Sequence, residues 1–371
     1  MKEVTVIGCG IVGAAIAYEL SLVTQLKITV LDRYPPAQGA TGAALGVLMG
    51  AISKKVKGRA WQLREASMQR YETLIPELEM LTGRQIPFNR QGILMLCFAG
   101  EDLASWKDLA ATRCSQGWPL EIWDTAQVQS QCPQLHNESM IAGIYSPQDR
   151  QIDPSALTEV LVAAAQQNGV TFKFGVAVEG VSSSPPDADS LRICHQIYTS
   201  VGLLNVDWLV VASGLGTTLL TADLEQPIDI KPVLGQGLHL RVEAPLGNPE
   251  FQPVITGDDV HLVPVGRGEY WVGATVEFPN EVGEVVADSE SLEQVRQKAI
   301  AFCPTLANAT LIRTWSGQRP RPQNQSAPII GQLPGYRNVL LATGHYRNGV
   351  LLAPATAQRI RDQLLDSCDP N

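Results

Sequence analysis

A Rossmann-type α/β fold, with a mostly antiparallel β-sheet domain inserted into a nucleotide-binding domain, is predicted from three features of this sequence. The first is a glycine-rich turn, Gly8-Cys9-Gly10-Ile11-Val12-Gly13, set between a short apolar run and an apolar helical stretch. The second is Asp32, which ends the next apolar run about 20 residues further on. The third is a change of pattern from Lys231 onward, where short strand-like runs broken by Gly and Pro turns replace the helix-strand alternation.

Taken in order, residues 3–7 read as a buried strand, 11–22 as an apolar-rich helix and 27–31 as a second strand, together one βαβ unit. Residues 65–81 have an amphipathic helical period, 92–98 alternate as a strand, and 106–132 mix helix with loop. Asp153-Pro154-Ser155 marks a helix start, because proline suits the first turn, and the helix over 156–167 stops at Asn168-Gly169. Strands are expected at 170–178 and 208–212, with a Ser/Pro/Asp-rich surface loop over 182–190 between them. Further strands at 237–242, 260–265 and 269–278 precede a polar helix at 289–303. A Pro-rich crossing, Arg319-Pro320-Arg321-Pro322, leads to a strand at 339–342 and a final helix at 354–365. No internal repeat is expected.

The chain of 371 residues, 45% hydrophobic and 18% charged, is long enough for two intertwined domains with a sizeable core. A net charge of -9 without any Lys/Arg-rich block argues against nucleic acid as a partner, since phosphate neutralisation needs clustered cations. The seven cysteines (Cys9, Cys97, Cys114, Cys132, Cys194, Cys303 and Cys368) are scattered and form no CxxC pair, so they read as reduced, mostly buried small hydrophobes, and no metal site is expected. Met1-Lys2 runs directly into the first strand, which leaves no room for a cleaved signal, and the apolar stretches are too short for a bilayer. A cytoplasmic protein without a transmembrane segment is expected.

In the glycine-rich turn the glycines allow a tight bend, close backbone approach to a pyrophosphate and close helix packing, while the helix N-terminus faces the anion. Asp32 stands where it would accept hydrogen bonds from ribose hydroxyls. The fingerprint alone leaves NAD and FAD open. The run Gly39-Ala40-Thr41-Gly42-Ala43-Ala44-Leu45-Gly46 offers a small-residue path for a long cofactor, or simply flexible chain. Val211-Ala212-Ser213-Gly214 is a second place where a doubly wound sheet would touch a cofactor, or an ordinary strand-to-turn junction.

Three C-terminal segments carry a resemblance: Trp315-Ser316-Gly317-Gln318-Arg319-Pro320, Ala327-Pro328-Ile329-Ile330-Gly331, and the run from Thr343-Gly344-His345-Tyr346-Arg347-Asn348-Gly349 through Val350-Leu351-Leu352-Ala353-Pro354. With the N-terminal fingerprint, Lys231-Pro232-Val233-Leu234-Gly235-Gln236 and Val272-Gly273-Ala274-Thr275, they resemble the D-amino-acid oxidase family over nearly the whole chain, and the final run is similar to the glycine oxidases of thiamine biosynthesis. The resemblance implies FAD, held by Gly8, Gly10, Ile11, Val12, Gly13, Asp32, Arg33, Thr41, Gly42, Ala43, Gly46, Val47, Val178, Ala212, Ser213, Gly214, Gly344, His345, Arg347, Asn348, Gly349, Val350 and Leu351. Some relatives tether flavin through a cysteine near Gln318 and Arg319; none stands here, so non-covalent FAD is expected. The implied domains are an FAD-binding unit of residues 1–84, 150–230 and 319–371 and a substrate-binding unit of 85–149 and 231–318.

The family's reaction would be hydride transfer from the substrate α-carbon to FAD, giving an imine that hydrolyses, for glycine to glyoxylate and ammonia, while O₂ is reduced to H₂O₂. Arg319 matches the arginine that clamps the substrate carboxylate, a task suited to a planar guanidinium; Arg321 has no clear counterpart. His345 and Arg347 are either beside the flavin, with Arg347 at the site entrance, or solvated loop residues. His261 stands where glycine oxidases carry a tyrosine, and reads equally as a substrate hydrogen-bonding group or a structural histidine; Thr275 and Val276 are candidates for the same pocket. This departure leaves glycine, sarcosine and D-amino acids open as substrates. A homo-oligomer and a functional link to a thiazole synthase are expected. The rival readings are an amino-acid dehydrogenase passing electrons to a quinone or other carrier, and a non-catalytic nucleotide-binding regulatory protein.

Overall fold

The structure, a computed structural model, describes residues 1–187, 191–222, 224, 226–281 and 283–366; Cys368 and part of the expected 182–190 loop lie outside the described residues. Its centre is a six-stranded sheet in the order Ile329–Gln332, Val339–Thr343, Trp208–Val211, Lys2–Ile7, Leu26–Asp32, Thr171–Phe174. All neighbours run parallel except the antiparallel edge strand Ile329–Gln332. The carboxyl ends of the three central strands therefore meet at one sheet edge, where Ile7 pairs with both Val211 and Leu31. A doubly wound sheet binds its ligand outside that edge.

Helices Ile11–Ser21, Pro154–Gln167, Gly58–Thr82 and Gly349–Asp366 form the helical layers around this sheet. Ile11–Ser21 is buried on nearly all sides, which explains why its sequence is apolar around the whole circumference. Its buried Glu19 is paired with Arg70 of Gly58–Thr82 at 2.8 Å and with Arg361 of Gly349–Asp366 at 3.0 Å, so one carboxylate ties three helices together. Asp153 caps Pro154–Gln167 by accepting hydrogen bonds from the Ser155 and Ala156 amides.

An eight-stranded, mostly antiparallel sheet forms the second layer, in the order Thr310–Pro322, Ile230–Arg241, Glu269–Gly273, Val260–Gly266, Val254–Gly257, Ile93–Phe98, Met140–Ser146, Glu121–Trp123. Helix Ser289–Phe302 packs on one face of it. A separate three-stranded sheet, Val178–Ser183, Cys194–Thr199 and Gly202–Asn205, and a small sheet of Val47–Leu48, Arg150–Ile152 and Phe88–Asn89 complete the fold.

Four of the elements that differ from the sequence reading do so for a local reason. The Pro-rich crossing at 319–322 is the end of the edge strand Thr310–Pro322, where the missing proline N–H groups leave no interior ladder position empty. That strand runs through residue 319, where the sequence placed its last domain boundary. The expected strand 170–178 is two strands, Thr171–Phe174 and Val178–Ser183, separated by a turn at Gly175 with φ of 77°. The strand 269–278 ends at Gly273, beyond which Thr275 and Glu277 bond irregularly to Gln236 and Leu234. The last helix starts at Gly349 rather than at 354, with Pro354 inside it. Proline leaves the Val350 carbonyl without its helical donor, and the Tyr71 hydroxyl donates to that carbonyl instead at 2.6 Å. The strand Met140–Ser146 had no counterpart in the sequence reading.

Candidate functional site

A cavity of about 740 Å³ opens between the carboxyl edge of the parallel sheet and the facing strands of the eight-stranded sheet. At one end lies the glycine-rich turn. Gly8 has φ of 103°, and a Cβ there would lie 2.8 Å from the Ala212 carbonyl carbon; a Cβ on Gly13 would overlap the Gly8 carbonyl oxygen, so the helix is seated against the strand by the absence of a side chain. Gly10 begins the helix without a capping side chain, and Thr41 supplies one from the small-residue run, its hydroxyl accepting from Ile11 N at 3.0 Å. Asp32 accepts from the Cys9 amide at 2.6 Å and the Tyr34 amide at 2.9 Å. Its carboxylate thus fixes the turn while lining the cavity, with lone pairs left for a ligand.

The other end is built by the strands Thr310–Pro322 and Ile230–Arg241, paired in antiparallel register with Arg319 opposite Val233 and Gly317 opposite Gly235. Alternation along the edge strand puts Trp315, Gly317 and Arg319 on one face. The Trp315 indole donates to the Ala43 carbonyl at 3.0 Å. Arg319 is half-buried, and its Nη1 donates to the Leu234 carbonyl at 2.9 Å and the Thr275 carbonyl at 3.1 Å. A Cβ on Gly235 would overlap the guanidinium, so this glycine makes the arginine's berth. Burial first, and then the nearby Arg347 charge, lowers the Arg319 pKa from the ordinary arginine value. Carbonyl oxygens orient the cation without neutralising it, and among the described residues no carboxylate pairs with it.

Most of the residues singled out in the sequence line this one cavity: Gly8, Gly10, Ile11, Val12, Asp32, Arg33, Thr41, Ala43, Gly46, Val47, Val178, Ala212, Ser213, Gly214, Gly344, His345, Arg347, Gly349, Val350, Leu351, Arg319 and His261. Gly13, Gly42 and Asn348 stand outside the lining: Gly13 serves helix packing, a Cβ on Gly42 would overlap the Ala37 carbonyl, and the Asn348 side chain accepts from Arg64 at 3.4 Å. Thr275 and Val276 also stand outside it; the Thr275 hydroxyl bonds Glu277 and the Gln236 amide, and Val276 is exposed. Gly235, Trp315, Gly317 and Tyr346 line the cavity without having been assigned a role beforehand, although all lie within the segments that carried the resemblance. A glycine on each side of the Gly317–Gly235 pair of strands was the available signal.

Two histidines reach the site with different surroundings. His261 has Nδ1 2.9 Å from the Thr256 hydroxyl and is pushed down to about 4 by burial and by Arg347 and Arg319, against the opposing charge of Asp259. His345 is buried, with Nε2 3.0 Å from the Thr356 hydroxyl of the last helix, and burial pushes it down to about 4 as well. Its ring is therefore engaged by the helix. A histidine whose folded-state pKa lies below its ordinary 6.5 is protonated first in the unfolded chain. The stability it contributes is complete above about pH 6.5 and is lost as pH falls from there towards 4, by up to about 3 kcal/mol for a fully buried ring. Urea unfolding at pH 7 and pH 4.5 should show a smaller acid loss in His345→Asn than in the parent; equal losses would contradict this placement of the ring.

No helix among the described residues is long and apolar enough to cross a membrane. The sequence profile of the DAO family, described as FAD dependent oxidoreductase, matches residues 3–363. The chain is 32% identical over 372 residues to the bifunctional protein ThiO/ThiG of Synechocystis sp. strain PCC 6803, covering 98% of this chain and 52% of that protein. It is 28% identical over 371 residues to the glycine oxidase of Bacillus subtilis strain 168, covering 98% of this chain and 93% of that one. The crystal structure of glycine oxidase from Geobacillus kaustophilus matches its fold with a TM-score of 0.86 at 24% identity, over 99% of this chain and 95% of that chain. The chain spans about half the length of the bifunctional relatives it matches.

Proposed function

The chain belongs to the DAO family of FAD-dependent oxidoreductases, and on that footing we propose that it oxidises glycine or a related small amino acid or secondary amine at the Cα–N bond, with O₂ as the electron acceptor. The cradle fits FAD: the Gly8–Gly13 turn, Thr41 and Asp32 stand at one end of a continuous cavity whose other end holds Arg319. Gly8, Gly10 and Ile11 would hold the pyrophosphate, Asp32 the ribose, and the Gly344–Leu351 loop the flavin side. When bound, FAD supplies two-electron oxidation of the amine.

The observation that carries the reading is the half-buried Arg319 guanidinium, fixed by two backbone carbonyls and facing the cavity without a carboxylate partner among the described residues. Such a group orients a substrate carboxylate bidentately and thereby sets the position of the neighbouring C–H bond. His261, neutral at ordinary pH, adds a hydrogen-bonding ring without adding charge. Arg347 stands at the cavity with no partner of its own among the described residues. The substrate-binding unit comprises 85–149 and 231–322, the last boundary moved to the end of the strand Thr310–Pro322, and the rest of the chain forms the FAD-binding unit. The similarity to bifunctional ThiO/ThiG proteins supports a further step in which the imine product is consumed by a thiazole synthase.

The test is the visible spectrum of the purified protein, recorded anaerobically before and after glycine, sarcosine and a panel of D- and L-amino acids. Bleaching of the flavin band that air reverses with release of H₂O₂ is expected. Bleaching that air fails to reverse would instead identify a dehydrogenase, and a band that no amine bleaches would favour a non-catalytic binding protein.

A further inference from the structure

The mouth of the cavity holds more positive charge than one carboxylate requires. Arg319 and Arg321 stand two apart on the strand Thr310–Pro322, so they share one face, roughly 7 Å apart along the strand. Arg321 is exposed and stands just outside the cavity lining, its guanidinium 5.2 Å from the Phe278 ring centroid and 5.8 Å from that of Tyr346, which does line the cavity. Arg347, from the turn beside Tyr346, lines the same cavity, and its charge acts on both Arg319 and His261.

The carboxylate whose charge reaches Arg319 is Glu277, while that of Asp259 acts on His261. Glu277 already accepts from the Gln236 amide group at 2.9 Å, the Asp288 backbone N–H at 2.8 Å and the Thr275 hydroxyl. Among the described residues neither makes an ion pair with Arg319, Arg321 or Arg347. Arg319 and Arg347, brought together without a counter-ion, repel each other, and the repulsion is relieved when anions bind. A single α-carboxylate, taken bidentately by Arg319, leaves Arg347 in the cavity, and Arg321 just outside its lining, uncompensated. In a chain with a formal charge of -9, this local excess is not a consequence of composition.

We propose that Arg321 and Arg347 form a second anion subsite at the cavity mouth, so that the preferred substrate is an amino acid bearing a second carboxylate, such as an N-carboxymethyl glycine or an amino dicarboxylate. The two aromatic rings hold the Arg321 guanidinium through its apolar faces and leave its edge donors for the anion. The inference rests on the amine-oxidising reading above and narrows its substrate class.

The holoenzyme provides the test. Oxidation of iminodiacetate is compared with that of sarcosine, which differs by one carboxylate on the N-substituent, and D-aspartate is compared with D-alanine. The wild type should prefer the dicarboxylate of each pair by at least tenfold in kcat/KM. Arg321→Gln and Arg347→Gln should lower that preference at least tenfold, with KM carrying most of the change, while Arg321→Lys restores part of it. A wild type that oxidises the monocarboxylates without preferring the dicarboxylates overturns the subsite and leaves the oxidase reading standing. Equal losses for both members of each pair would assign the arginines to the cofactor or the fold, and also overturn it. If no amine is oxidised, the flavin absorbance is titrated with glutarate, an isostere of iminodiacetate, and with butyrate. Tighter glutarate binding that Arg321→Gln abolishes supports the subsite on its own, and equal affinities overturn it.

Discussion

Arg319→Leu is expected to lower kcat/KM for the amino-acid substrate by about 10²- to 10⁴-fold, corresponding to about 3–5 kcal/mol for removing one partner of a buried charge pair. The flavin content should be unchanged, because Arg319 is held by the Leu234 and Thr275 carbonyls, at the opposite end of the cavity from the glycine-rich turn. Arg319→Lys should recover only part of the loss, since an ammonium replaces the planar fork with a point charge. Gly235→Ala approaches the same result from the neighbouring strand, because the new methyl would occupy the space of the guanidinium and displace it. Its defect should appear mainly in substrate affinity. Steady-state kinetics with flavin content measured in parallel decides the matter, and an Arg319→Leu enzyme with full substrate affinity would refute the clamp.

The second large effect is expected at the opposite end. Gly13→Val should destabilise the protein by about 4 kcal/mol or more and yield it without flavin, because any Cβ at this position collides with backbone rather than with a side chain that can turn away. The Gly8 carbonyl cannot retreat: Gly8 N–H is bonded to the Leu31 carbonyl at 2.8 Å, and the Ala212 amide is bonded to the Ile7 carbonyl at 2.8 Å. Gly180→Ala is the matched control, since its Cβ would lie 3.6 Å from Tyr198, an ordinary contact. Thermal melting and the flavin absorbance of the purified variants should separate the two cleanly. A flavin-replete, stable Gly13→Val protein would show that the helix is not seated as described.

The nucleotide end was legible because its constraints are local. A strand of apolar residues, glycines where Cβ atoms would collide, an apolar helix and an acid closing the next strand all fall within 32 residues, and each leaves its mark on residue type. Even there, the side chain that caps the helix is Thr41, contributed from 30 positions away from the amide whose hydrogen bond it accepts, and the sequence had placed it on a small-residue path and among the FAD-holding residues without foreseeing the cap. The substrate end was reached through resemblance: nothing in the local pattern of residues 315–322 separates an edge strand from a Pro-rich crossing, because proline and extended backbone are compatible with both.

By itself, then, the sequence determined the α/β class, the dinucleotide turn and the family to which the chain belongs, since these follow from short-range spacing, periodicity and stretches of residues in order. Only the tertiary structure decided which side chains share the cavity and which turn away from it. Arg319 bonds a carbonyl 85 residues distant, the His345 ring is engaged by Thr356, and Pro354 is accepted inside a helix because a hydroxyl from 279 residues away serves the carbonyl left without its donor. Each outcome depends on satisfying a polar group or a volume with a partner remote in sequence, and such a partner imposes no period on the residues around it.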